Sequence, residues 1–371
     1  MFLALRDLRF AKGRFLLMGA VVSLIAVLAV VLTGLTTGLT NDNISALRGM
    51  PATHLAFQSG IQGELFSRSL IEQPTWQHWA TQPGVQAATP YGNTLIHASD
   101  QRGGKALDIA LFGVQPGSFI APEPTAGQPL GTTPDGVLIS AKLAKQGVRA
   151  GDTLVVEHAG TRLHVLGTVE EASFGHVAVA YAPLRLWQQV HYGLPGQPPA
   201  AAWRQATAVA LKLVGGTDVK ALDARLGTHT VSKRGTYAAA PGYSAETGTM
   251  VLIQVFLYLI STLVVGAFFV VWTVQRKPEI ALVKALGGSS RWLLGEAVTQ
   301  VLVVLVTATV AGIGAGLALG TSLIKAAPFA LEPGPIALAA VLLVALGTLG
   351  TLAAVRRITA VDPLIALGGN R

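Results

Sequence analysis

Four long runs of apolar residues divide the chain, and they lie at residues 15–35, 251–274, 297–324 and 335–355. A helix needs about 20 apolar residues to cross the hydrocarbon core of a bilayer, and each run reaches that length. The first run is too long for the apolar region of a signal peptide, and no A-x-A-like cleavage site follows it. We therefore predict four retained membrane-spanning helices, at residues 14–38, 246–274, 293–325 and 335–356.

A long polar segment, residues 39–245, separates the first two apolar runs. Within it, residues 153–158 and 162–169 alternate between apolar and polar side chains around an Ala-Gly pair, which is typical of a β-hairpin. Residues 95–100 and 107–114 flank the turn sequence QRGGK and predict a second hairpin. The insert therefore contains antiparallel strands.

Helical spacing also occurs in the insert, around Leu65, Leu70 and Trp76, and predicts a helix there. Strands and helices together make the insert an α+β domain. The expected fold is a membrane protein with four transmembrane α-helices and a large α+β extracytoplasmic domain between helices 1 and 2.

The distribution of charge predicts how the chain crosses the membrane. The chain is 51% hydrophobic and only 12% charged. Net charge is +3 over residues 1–14, +2 over 275–296 and +2 after residue 355, whereas the segment between the first two apolar runs, residues 36–250, carries only +1. By the positive-inside rule, both termini and the 275–296 loop are cytoplasmic and the insert is outside the cell membrane. The basic pI of about 9.9 therefore reflects membrane topology, so membrane lipid is the expected surrounding and nucleic acid is not an expected partner.

Three short segments complete this organisation. Residues 1–13 form either an amphipathic helix on the cytoplasmic surface or a simple basic flank of the first helix, and the sequence favours neither. Residues 326–334 are expected to be an outer loop, and residues 357–371 a cytoplasmic tail.

Signatures of catalysis are missing from the sequence. It contains no GxxxxGK[ST] phosphate-binding loop, no GxSxG and no HExxH. There are no cysteines, and all eight histidines lie in the insert, where surface or strand positions are the simplest interpretation of His158 and His164. We expect no enzymatic activity, no ATPase site and no intrinsic cofactor in this chain.

Residues 275–292 are expected to be a cytoplasmic loop that contains a helix, and they begin the sequence QRKPEIALVKALGGSSRWLLGEAV between the second and third apolar runs. Pro278 suits the first turn of a helix, and Glu279 complements the positive end of the helix dipole. Gly287 and Gly288 would end that helix. The pattern predicts a short helix that transmits force to a cytoplasmic partner, with a tight turn between two spanning helices as the alternative.

This loop resembles the signature R-x-x-E-[IV]-G-[IL]-L-[KR]-A-[IL]-G-[AG]-[ST] of the FtsX-like and MacB-type (type VII) ABC transporter permeases. The matching residues are Arg276, Glu279, Ile280, Lys284, Ala285, Leu286, Gly287 and Ser289. Ala281 stands where the family usually has glycine. The ending RRITAVDPLIALGG, with Pro363 and Leu367, and the strand-rich insert are also similar to that family, so the resemblance covers essentially the whole chain.

The resemblance implies that this chain is one subunit of a larger transporter complex. It implies a permease homodimer with two copies of a separate ABC ATPase subunit that binds ATP and drives the extracytoplasmic domains by mechanotransmission. The residues that it implies in ATPase coupling are Arg276, Glu279, Lys284, Leu286 and Gly287.

The layout is also similar to haem-exporting permeases of the HrtB type, which implies haem as a substrate taken from the outer leaflet. Two alternatives stay open. One is an exporter of another amphipathic substrate, such as a lipid, peptide or drug. The other is a non-transporting mechanotransmitter that regulates an extracellular partner.

The stretch TYAAAPGYSAETGTM, residues 236–250, leads into the second spanning helix. If the helix starts near Ala245, then Glu246, Met250 and Gln254 lie at successive turns, with Leu257, Tyr258 and Ser261 near the same side. Such a polar stripe is costly against lipid. We expect it to face another helix, in particular that of the second protomer across a two-fold axis.

This stretch is the candidate haem site. A carboxylate or thioether can ligate haem iron, and tyrosines can ligate iron or hydrogen-bond a propionate. The candidate residues are Glu246 as the iron ligand, with Met250, Tyr237, Tyr243 and Gln254. The alternative interpretation is structural, because tyrosines anchor membrane interfaces and a glutamate near a helix start interacts favourably with the helix dipole.

Overall fold

The computed structural model describes residues 12–61, 63–102, 104–157, 159–193, 198–275, 289–323 and 328–359. Most of the predicted N-terminal surface helix, residues 276–288 of the predicted 275–292 loop and most of the predicted C-terminal tail lie outside these described residues. The chain divides into two compact units, residues 40–246 and residues 1–39 with 247–371.

Four helices are long and apolar enough to cross a membrane, as predicted. They are α1 (Lys12–Gly49), α7 (Tyr243–Gln275), α8 (Ser290–Leu323) and α9 (Pro333–Thr359). Helix α1 continues well beyond residue 38, where we expected the first span to end. Its extension keeps a helical apolar side, with Ile44 and Leu47 fully buried, and helix-breaking Pro51 comes only after its end.

The membrane helices approach one another closely at glycines. Gly312 and Gly316 of α8 lie one turn apart and face α1. A Cβ atom added at Gly312 would overlap the backbone oxygen of Ser23 and the side chain of Ala26, and one at Gly316 would lie 2.9 Å from Cβ of Val30. Small residues of this kind allow helix backbones to pack in direct contact where lipid offers no hydrophobic driving force.

Residues 40–246 form an α+β domain around a mixed, mostly antiparallel sheet, which confirms the predicted fold class. The strands are β1 (His54–Gln58), β2 (Ile71–Glu72), β3 (Val85–Asp100), β4 (Ala106–Val114), β5 (Ala126–Gly127), β6 (Gly136–Ser140), β7 (Thr153–Val156), β8 (Arg162–Val169), β9 (Ser173–Phe174), β10 (Val177–Pro183), β11 (Gln205–Ala206), β12 (Ala208–Leu213) and β13 (Thr228–Ser232). The helices of the domain are α2 (Leu65–Arg68), α3 (Gln73–Ala80), α4 (Ala141–Lys145), α5 (Leu184–Tyr192) and α6 (Val219–Leu226), with 3-10 turns at Ala200–Arg204 and Gly235–Ala239.

The main sheet has the order β13-β1-β12-β3-β4-β10-β6-β8-β5, with β7 and β9 paired off this path. Both predicted hairpins are present, because β3 pairs with β4 and β7 pairs with β8 in antiparallel register. Parallel pairs β10–β4 and β6–β8 interrupt the antiparallel pattern. Local alternation in the sequence therefore found the hairpins, whereas the parallel pairs join strands that are distant in sequence.

Two apolar clusters bury both faces of the sheet. On β4, Ile109 and Leu111 belong to one cluster while Ala110 and Phe112 belong to the other. Successive side chains of a strand point to opposite faces, so a strand covered on both sides reads as a continuous apolar run. The extension of α1 contributes Ile44 and Leu47 to the second cluster.

The helix that we predicted around Leu65, Leu70 and Trp76 is wrong as a single element. The structure has the short helices α2 and α3, with strand β2 between them. Ser69 is extended, and its hydroxyl donates to the carbonyl of Thr207 at 2.7 Å. Pairing of β2 with β11 takes the backbone hydrogen bonds that a continuous helix would have used.

Candidate substrate-binding site

Glu246 lies in the first turn of α7, which begins at Tyr243, three residues before the predicted span of 246–274. Its backbone N–H donates to the carbonyl of Gly242 at 3.0 Å. Its side-chain Oε2 lies 3.1 Å from Nε2 of His176. The carboxylate therefore complements the helix dipole, which is the structural role considered for Glu246 above. It also has an ionisable partner, His176.

His176 occupies an unusual backbone position. It follows Gly175 in the two-residue turn between β9 and β10, and both residues have positive φ, 60° for Gly175 and 67° for His176. Two positive φ values characterise the type I′ hairpin turn, in which glycine or asparagine is favoured. Among the described residues, His176 is the only non-glycine residue with positive φ.

A cluster of charged and polar side chains surrounds this turn, entirely within residues 40–246. We call it the His176 cluster, and its members are Asp42, Asn43, Lys142, His176 and Glu246. Nδ1 of His176 lies 3.3 Å from Oδ2 of Asp42, and Lys142 forms an ion pair with the same carboxylate. Nζ of Lys142 also donates to the carbonyl oxygen of His176 at 3.0 Å. The backbone and both ring nitrogens of His176 therefore contact charged or polar groups.

Asn43 ties the cluster to the chain leading into α7. It is fully buried, and its Nδ2 donates to the carbonyl of Pro241 at 3.0 Å while lying 3.2 Å from Nε2 of His176. The backbone carbonyl oxygen of Asn43 accepts a hydrogen bond from the N–H of Gly175 at 2.9 Å. The extension of α1, the 175–176 turn and the segment before α7 thus meet at one buried residue, Asn43.

Tyr237 and Tyr243, the two tyrosines of the candidate haem site, are near each other. Their rings make an edge contact with centroids 6.4 Å apart, and both pack against the second apolar cluster of the domain. Each is partly exposed. They can therefore offer a hydroxyl or a ring edge to a ligand while their other side remains packed.

Met250 and Gln254 follow Glu246 at successive turns of α7. Nε2 of Gln254 donates to Oγ1 of Thr36 in α1 at 3.4 Å, and Leu257 packs in an apolar cluster with Val22 and Ala26 of α1. The stripe therefore faces another helix, as expected, but one of the same chain. The expected contact with the second protomer stays a prediction, and Met250 and Gln254 both keep partly exposed surface.

The residues implied in ATPase coupling, Arg276, Glu279, Lys284, Leu286 and Gly287, lie outside the described residues. Of the two hairpin histidines, His158 also lies outside them, and His164 sits partly buried on β8. Within the described part of the chain, no group of three or more acidic, histidine or cysteine side chains is arranged to hold a free metal ion.

A separate cavity of about 480 Å³ opens in the extracytoplasmic domain. Its floor includes the buried side chains of Met50, Val114 and Ile120. Glutamates 123, 170 and 171 line it, and Glu171 forms an ion pair with Lys145 at 2.5 Å. A volume of several hundred cubic ångströms with apolar walls and a few polar groups is typical of small-molecule sites.

Sequence reasoning found Glu246 but missed its partners. The one available signal was the sequence Phe-Gly-His at 174–176, which leads into an apolar strand and places histidine where a hairpin turn favours glycine. Asp42 and Lys142 carried no signal, since they are brought to His176 by tertiary contacts across 134 and 34 residues, respectively.

Comparison with known families matches nearly the whole chain. The MacB-like periplasmic core domain matches residues 15–229, and the FtsX-like permease C-terminal domain matches residues 251–363. The chain belongs to the MacB/FtsX family of ABC transporter permeases. The resemblance inferred from the loop signature and the insert is thus confirmed, and the permease is a multi-pass membrane protein with an extracytoplasmic domain.

Relatives match the permease from end to end. A putative hemin transport system permease protein HrtB of Staphylococcus haemolyticus is 22% identical, with 99% of each chain covered. An uncharacterised ABC transporter permease of Mycobacterium tuberculosis is 27% identical over 100% of this chain and 99% of its own. The crystal structure of the periplasmic region of MacB from Actinobacillus actinomycetemcomitans is similar to 51% of this chain and 92% of its own, with 14% identity and a TM-score of 0.37.

Proposed function

We propose that this permease exports haem, which it takes from the outer leaflet of the cell membrane. The observation that carries the proposal is the end-to-end similarity to relatives named as hemin transport permeases. The carboxylate of Glu246, at the start of α7, is the proposed iron ligand. Its bond to His176 uses Oε2, so Oε1 is the atom that we assign to iron.

The other candidate residues take supporting roles in this proposal. Tyr237 and Tyr243 offer hydroxyls and ring edges to the propionates or the porphyrin face. Met250 and Gln254 extend the site along α7, and Gln254 does so while bonded to α1. Haem is the substrate here and not a resident cofactor.

The proposed machine is a homodimer of the permease with two copies of a separate ABC ATPase. ATP binding and hydrolysis in that partner would move the extracytoplasmic domains by mechanotransmission through the 275–292 loop. The family membership supports a partner ATPase, because permease subunits of ABC transporters work with one.

A haem titration of the purified permease in nanodiscs tests the proposal. We expect a red-shifted Soret band in the wild type and its loss or alteration in Glu246→Ala. The Glu170→Ala variant, which changes a glutamate at the separate cavity, serves as the control and should keep the wild-type spectrum. An unchanged haem spectrum on addition of wild-type permease would remove haem as the substrate and leave the family assignment intact.

The cavity of the extracytoplasmic domain favours a second candidate function, the export of a cationic amphipathic molecule. Its apolar floor, together with Glu123 and Glu170, suits a ligand with an apolar body and a positive charge. Growth of a deletion strain separates the two functions. Sensitivity to haem alone supports haem export, whereas sensitivity to cationic amphiphiles alone supports this second function. A cell-wall defect without either sensitivity would instead indicate the non-transporting mechanotransmitter.

A further inference from the structure

We propose that His176 is a positioning residue, which holds the carboxylate of Glu246 in the orientation that binds the substrate. This inference rests on the proposed haem site, because it assigns a role to the partner of the proposed iron ligand. His176 itself is not assigned to iron. Its role is to restrict a neighbouring side chain.

The backbone of the 175–176 turn gives no reason for a histidine. Positive φ at its second position is most favourable for glycine, and only a few per cent of other residues adopt it, most often asparagine, aspartate and histidine. A strained residue persists where surrounding contacts fix it, and such residues cluster at functional sites. The imidazole ring is the part of His176 that glycine could not replace.

The ring is fixed from the side opposite Glu246. Asp42 contacts Nδ1 at 3.3 Å, and Lys142 bonds both to Asp42 and to the carbonyl oxygen of His176. These contacts anchor the ring and its backbone together. Nε2 is consequently presented to Oε2 of Glu246 at 3.1 Å.

Glu246 needs such a restraint. Its side chain has three rotatable bonds and is partly exposed, so without a partner it would sample several rotamers. A bond at Oε2 selects among them and leaves the second oxygen for a ligand. Fixed placement of a ligating group raises affinity because less conformational entropy is lost on binding.

Buried Asn43 restrains the other side of the same geometry. Its Nδ2 bonds the carbonyl of Pro241, five residues before Glu246, and approaches Nε2 of His176. The position of the helix start and the position of the ring are thus set by one amide. This arrangement fits a device that aligns the first turn of α7 with the imidazole.

The alternative is that the His176 cluster only stabilises the domain. The two roles separate in variants that change the ring and the turn independently. His176→Gly removes the ring and relieves the backbone, and His176→Asn keeps a polar donor in a residue that tolerates positive φ. His164→Asn, at a histidine of strand β8, is the matched control.

The experiment uses the full-length permease in nanodiscs, with haem titration, electron paramagnetic resonance of the ferric complex and thermal unfolding on each variant. We expect His176→Gly to bind haem about tenfold more weakly and to broaden or split the ferric signal, because hydrogen bonds to charged groups contribute about this much. His176→Asn should recover part of the affinity. His164→Asn should match the wild type.

Unchanged affinity and an unchanged ferric signal in folded His176→Gly would overturn the proposal. If His176→Gly does not fold, the same two measurements are made on His176→Asn. Wild-type haem affinity and a wild-type ferric signal in His176→Asn would then overturn the role of the imidazole. Weaker binding with an unaltered ferric signal in both variants would also overturn it, since it indicates a loss of stability alone.

A haem-independent arm distinguishes failure of this inference from failure of the proposed function. Thermal unfolding of His176→Gly, Glu246→Gln and the double variant forms a double-mutant cycle. We expect the double variant to lose at least about 2 °C less than the sum of the single losses. Additive losses would overturn the positioning role, whether or not the wild type binds haem.

Discussion

Oε2 of Glu246 and Nε2 of His176 lie 3.1 Å apart although 70 residues separate them in the chain. By sequence alone, Glu246 is an isolated carboxylate at the start of a membrane helix, and this contact gives it a specific partner. In the structure it is the end of a chain of polar contacts that passes through His176 to Asp42 and Lys142. A carboxylate held in this way has a defined orientation, and orientation is what a binding group requires.

The first prediction concerns coupling to the ATPase partner. Glu279→Lys places a positive charge at the positive end of the helix that the loop sequence predicts, and Leu286→Asp places a charge on the predicted apolar side of that helix. Each should abolish the stimulation of ATPase activity by haem in the reconstituted complex, measured as phosphate release. Lys277→Ala, at a variable position of the loop signature, should retain stimulation. Full stimulation in both loop variants would rule out this loop as the coupling element.

The second prediction concerns the packing of α8 against α1. Gly312→Ala would push a methyl group into the backbone oxygen of Ser23 and should destabilise the permease by about 2 kcal/mol. Gly314→Ala, two residues further along the same helix, meets no neighbouring atom within 4 Å and should be near neutral. Thermal unfolding in nanodiscs measures both. Equal losses in the two variants would contradict the close helix contact.

The third prediction concerns alkaline pH. Burial raises the pKa of Tyr181 from 10.0 to about 12. The folded state therefore holds this proton more tightly than the unfolded state, so its stabilisation is complete below pH 10 and is lost as the pH rises towards 12. Relative to Tyr181→Phe, the wild type should lose about 1.4 kcal/mol between pH 8 and pH 11. Parallel stability curves for the two proteins over that range would contradict the raised pKa.

The fourth prediction concerns membrane orientation. The chain has no cysteine, so single cysteines can be introduced without background labelling. Gln101→Cys, at an exposed turn of the insert, should react with a membrane-impermeant maleimide in intact cells. Arg371→Cys at the C-terminus should react only after the cells are opened. Reaction of Arg371→Cys but not of Gln101→Cys in intact cells would contradict the orientation that the charge distribution predicts.

The sequence alone predicted the features that depend on local pattern. Four apolar runs identified the four spanning helices, because crossing a bilayer demands a long, nearly uncharged segment. Alternation around short turn sequences identified the β3–β4 and β7–β8 hairpins. The loop signature identified the family, since its residue types and spacing are specific.

Tertiary structure decided what depends on contacts between distant residues. The extension of α1 to Gly49 forms because Ile44 and Leu47 are buried in the core of the domain. The local sequence after residue 38 did not predict that burial. The helix predicted around Leu70 gave way to β2, because pairing with β11 offered the backbone other hydrogen bonds. The His176 cluster also depends on contacts between distant residues. Its charged members come from four separate segments, and only the folded chain brings them to one turn: Asp42, Lys142, His176 and Glu246.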